Sequence, residues 1–109
     1  MSYIDIYHRM TYTMKDKWTI VTAKADKQAV KLSEKVILSL RYLMMDLANR
    51  GPAVKDWPNY GKLRGCKGDK RHCHLQKGKS TYVCCWEVVD KKCKIIEVYY
   101  VGTHEKAPY

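Results

Sequence analysis

At 109 residues, with 46% hydrophobic side chains, nine Tyr and three Trp, the chain has the length of one domain and too much core-forming material for a disordered protein. Lys and Arg number 21 against 11 Asp and Glu, a formal charge of +10; that excess points to polyanionic partners, because displacing counterions from a phosphate backbone drives association. No stretch approaches the roughly 18 apolar residues of a membrane span, the start lacks the basic and apolar runs of a secretion signal, and five cysteines cannot all pair within one chain, so a cytoplasmic setting is expected.

Residues 1–16 are polar and aromatic without clear period. They read as an extension ahead of a domain spanning residues 17–109; disorder of this stretch and a natural start at Met14 fit the pattern equally. Trp18 to Ala23 is rich in β-branched residues and is expected to form a strand. Asp26 is the expected helix cap. From Lys27 to about Asn49, Val30, Leu32, Val36, Ile37, Leu40, Leu43, Met44 and Leu47 recur at helical spacing, with one long helix or two accounting for it equally well. Arg50-Gly51-Pro52 supplies the stop. A turn-rich loop around Trp57 to Gly61 follows, then four short strands: Lys62 to Cys66, His72 to Gln76, Thr81 to Val88 and Lys94 to Val101, the last two joined as a hairpin through Asp90-Lys91-Lys92. The order of strand, helix or helices, then an antiparallel sheet of about four strands packed on them, is α+β.

The densest positive charge lies between Lys62 and Lys79: Lys62, Arg64, Lys67, Lys70, Arg71, Lys77 and Lys79 against the single acid Asp69. Strand alternation puts Lys62 with Arg64 and His72 with His74 on common sides, a surface able to hold phosphates and move protons. His104 adds a third imidazole in this half of the chain, while His8 falls in the extension. Two imidazoles beside a phosphate can take a proton from an RNA 2′-hydroxyl and give one to the departing 5′-oxygen, chemistry that needs no metal or cofactor. A zinc site is disfavoured: Cys73 alternates with His72 and His74, Cys84 alternates with Cys85, and no Cys-x-x-Cys pair exists. The cysteines read as small core residues. No Gly-rich nucleotide loop precedes the helix.

The segments Arg71-His72-Cys73-His74-Leu75, Thr81 to Val88 with Trp86, and Ile95 to Val101 running into Gly102-Thr103-His104 and the closing Tyr109 resemble the RelE/ParE superfamily of toxins, and within it the YafQ branch. The resemblance covers residues 17–109. It implies a small fold of two helices or a helical hairpin on a four- or five-stranded sheet, and a toxin that cleaves messenger RNA in the ribosomal A site until an acidic antitoxin silences it. His74 matches the family's strand histidine and His104 its tail histidine, an acid/base pair; Tyr109 matches the closing aromatic that stacks on or orients a base. Lys62, Arg64, Lys67, Arg71 and Lys79 are the expected phosphate contacts. The chain departs from the pattern at His72, where the family has an acid, and at Pro108, which takes the aligned place of the aromatic. These departures shift proton transfer toward imidazole. A gyrase inhibitor of the ParE kind, or a noncatalytic RNA-binding or decayed toxin, is the alternative.

Overall fold

The computed structural model describes residues 17 to 76 and 81 to 109, so the extension, His8, Lys77 and Lys79 lie outside the described residues. Strand β1 (Thr19–Val21) leads into helices α1 (Ala23–Ala29) and α2 (Glu34–Arg50). Strands β2 (Gly61–Lys62), β3 (Asp69–Gln76), β4 (Tyr82–Asp90) and β5 (Ile95–Thr103) follow, and a single tight turn of helix, His104–Lys106, begins the tail. The architecture is α+β, as the sequence pattern implies. The sheet runs β1-β5-β4-β3-β2, with β1 parallel to β5 and every other neighbour antiparallel. The two helices carry the chain from one edge of the sheet to the other across a single face.

The expected helical stretch is broken at residues 30–33. Ser33 opens α2, its hydroxyl accepting from the Val36 N–H at 3.4 Å, which satisfies one of the free donors at a helix start. Asp26, the expected cap, instead sits inside α1, its N–H donating to the Thr22 carbonyl at 2.8 Å. Val30 falls in the break and is 74% exposed, so it leaves the expected apolar stripe. At the other end Gly51 takes a φ of 89° and donates its N–H to the Leu47 carbonyl, the stop anticipated at Arg50-Gly51-Pro52.

Val36, Leu40, Leu43, Met44 and Leu47 of α2 pack with Ile20, Trp86, Ile96 and Val98 of the sheet in one core. Burying side chains of this size contributes about 1.5–3 kcal/mol each. Trp86 is fully buried yet keeps its indole N–H satisfied by the Pro52 carbonyl at 3.3 Å. Three of the cysteines, Cys73, Cys84 and Cys85, are buried, whereas Cys66 and Cys93 are exposed and correct the reading of all five as core residues. Among the described residues, no helix is long and apolar enough to cross a membrane.

Candidate active site

Period-two alternation decides what the sheet offers to each side. Cys73 and Leu75 on β3 join the helix-side core, so His72 and His74 turn to the open face. There His72 stands opposite Cys85 on β4 and Gly61 on β2, and His74 stands opposite Val83. A Cβ on Gly61 would lie 3.3 Å from His72 Nε2, so the imidazole lies against bare neighbouring backbone.

The tail completes the cluster. The His104 N–H donates to the Thr81 carbonyl at 3.0 Å, and the Ala107 N–H donates back to the His104 carbonyl at 3.2 Å, which folds residues 104–109 over the open face. The His104 ring comes 5.6 Å from that of His74, edge to face. Tyr109 lies 4.8 Å from His72 and 6.0 Å from His104, centroid to centroid. Gly102 also has a local role: the Tyr100 hydroxyl donates to the Thr103 carbonyl at 2.7 Å, and a Cβ on Gly102 would stand 2.7 Å from that hydroxyl.

Burial, and then the positive charge that each neighbouring imidazole would carry, hold His72 and His74 below the ordinary histidine range. Both rings are therefore uncharged at neutral pH and able to accept a proton. His72 Nδ1 is buried and has no hydrogen-bond partner among the described residues, an arrangement that costs about 1–3 kcal/mol. Burial pushes the Tyr109 hydroxyl up, and the Cys85 thiol to about 12, so neither is ionised at neutral pH.

The structure brings His72, His74, His104 and Tyr109 together, but not the expected basic residues. Strand β2 ends at Lys62, so Arg64 and Lys67 sit exposed in the following loop and share no strand face with it. Lys62 pairs in register with Arg71, not with His72, and its ammonium lies 3.9 Å from Asp69. Arg71 is on the helix side: it grips both Asp69 oxygens at 2.9 Å and donates to the Tyr60 hydroxyl at 3.0 Å. Its charge is committed to the fold. Lys79 lies outside the described residues.

Sequence reasoning placed Lys70 only in the basic stretch and Cys85 only among core cysteines, and singled out none of Gly61, Glu87, Glu97, Tyr99 and Tyr100 for the site. A bulge between Cys85 and Trp86 pairs Cys85 with Tyr100 and Trp86 with Val98, leaving Tyr99 as the extra residue. Burial, and then the neighbouring Cys85 thiol, push the Tyr99 hydroxyl up. The signal was present in the apolar positions Ile96, Val98 and Val101, whose spacing breaks strict alternation at the two tyrosines. Among the described residues, no three His, Cys, Asp or Glu side chains are arranged to hold a metal ion. In comparisons with known proteins, no family model, curated protein or solved structure matches the chain.

Proposed function

We propose that this protein is a cytoplasmic RNA-cleaving toxin of the RelE/YafQ type, acting on messenger RNA in the ribosome. The observation that supports it best is the open-face cluster of three imidazoles and a phenol, assembled from β3 and the tail on a protein of charge +10. RNA carries its own nucleophile, so the protein has to align the 2′-oxygen, neutralise phosphoryl charge and move two protons. His74 accepts the 2′-hydroxyl proton as that oxygen bonds to phosphorus. His104, on the exposed turn, gives a proton to the 5′-oxygen as its bond to phosphorus breaks. His72 sits beside this pair where the family has an acid, and Tyr109 offers a ring for a base.

The net positive charge also suits an acidic antitoxin, which would compete with ribosomal RNA for one surface. Induced expression followed by mapping of messenger RNA 5′ ends tests the reading. Growth arrest with codon-phased cuts is expected, and intact messages with gyrase-linked DNA damage would replace it with the ParE-like alternative.

A further inference from the structure

One row along the open face from His72, roughly 7 Å by strand geometry, lies a cavity of about 290 Å³ lined by Lys24, Lys70, Glu87, Glu97, Tyr99 and Pro108. It adjoins the histidines through the tail, since Pro108 lines it and the next residue covers His72. Glu87 and Glu97 stand directly opposite each other across β4 and β5. Like charges so placed destabilise a sheet, but Glu87 also faces Lys70 across β3 and β4, and Lys24 lies 3.8 Å from Glu97, so the site holds two carboxylates flanked by two ammonium groups. The Tyr99 hydroxyl neighbours Cys85, and the Lys70 ammonium stands 5.5 Å from the Tyr99 ring centroid.

We propose that this cavity is a guanine pocket, stacking the base on Tyr99 and reading its Watson–Crick edge with Glu87 and Glu97. The inference rests on the RNA reading above and names the base that the same site selects. Ionised carboxylates only accept hydrogen bonds, and guanine presents adjacent N1–H and 2-amino donors. The acceptor oxygens of uracil and cytosine would instead meet negative charge. Aromatic stacking combined with edge reading is how single-stranded RNA is discriminated. Lys24 and Lys70 supply what the nucleotide's phosphate needs, and they would repel the Arg or Lys of a peptide. Lys70 leaves the ring face as the base arrives.

The test is fluorescence anisotropy with labelled hexauridine RNAs carrying one central G, A, C or U, using the full chain with His74→Ala to prevent cutting. The G probe is expected to bind about tenfold tighter than the others. The added double substitution Glu87→Gln, Glu97→Gln should abolish that preference with the melting temperature nearly unchanged, because the repulsion it relieves offsets the lost attraction to Lys70 and Lys24. Tyr99→Leu should weaken all four probes. Equal affinity for the four, absence of binding, or a preference that survives the double substitution overturns the pocket. The RNA-cleavage reading is judged separately by cuts in cells: phased cuts with base-independent binding sink the pocket alone, and guanine preference without cuts sinks cleavage alone.

Discussion

On the helix side of the sheet, Ile20, Leu40, Leu43, Met44, Leu47, Trp86 and Val98 are fully buried, and the arginine at the rim is neutralised by Asp69 and tied to Tyr60. On the open side three imidazoles crowd one another, His72 Nδ1 is buried without a partner among the described residues, and Glu87 opposes Glu97. The first face holds arrangements that stabilise the fold. The second holds several that cost stability locally, which is where binding and chemistry are sought.

The sharpest way to break this division is to substitute one residue on each side. Trp86→Ala should cost about 3–5 kcal/mol, a large part of the roughly 5–15 kcal/mol of a typical domain, measured as a fall in urea midpoint; activity should fall only with the folded population. His74→Ala and His104→Ala should each reduce cleavage by roughly 10²–10⁴-fold with the urea midpoint nearly unchanged. A loss of stability like that of Trp86→Ala in either variant would erase the distinction.

Arg71→Ala refines the comparison, because its charge was expected on RNA and is found in the fold. Losing the charge-assisted bonds to Asp69 should cost about 1.5–3 kcal/mol in denaturant unfolding, while RNA affinity drops no more than for an exposed lysine such as Lys62→Ala. A larger affinity loss would return Arg71 to the RNA surface.

The smallest expected effect is on pH dependence. His72 and His74 titrate below the ordinary value of 6.5 when folded, so the unfolded chain takes up protons first as the solution is acidified. The associated stability is fully present above pH 6.5 and is lost as pH falls from there through the lower folded values. His72→Gln should flatten this slope in melting curves between pH 7 and 5; an unchanged slope would show that burial does not act on this ring.

Much of the fold was legible because it is written in local periods: the β-branched run at β1, the apolar spacing of α2, and the alternation in β3 and β4. The break between the helices was not, since Val30 and Leu32 continue the apolar spacing although Ser33 supplies the cap. The candidate histidines were readable as scarce imidazoles, but their meeting depends on the tail bond from His104 to Thr81, a contact with no sequence period. Lys62 and Arg64 were expected on one strand face because a strand was extended through residues where the chain leaves the sheet. Tyr99 was hidden by the bulge, which moves side chains off the alternation on which the reading relied.

The central claim is that the open face cleaves RNA by transesterification, and the chemistry of the cut ends tests it most directly. RNA from cells expressing the protein should carry new 5′-hydroxyl ends with matching 2′,3′-cyclic phosphates. Both should disappear in a His74→Ala, His104→Ala double variant that accumulates and melts like the parent. The same ends from that folded double variant, or no new ends from the parent protein, would contradict the account.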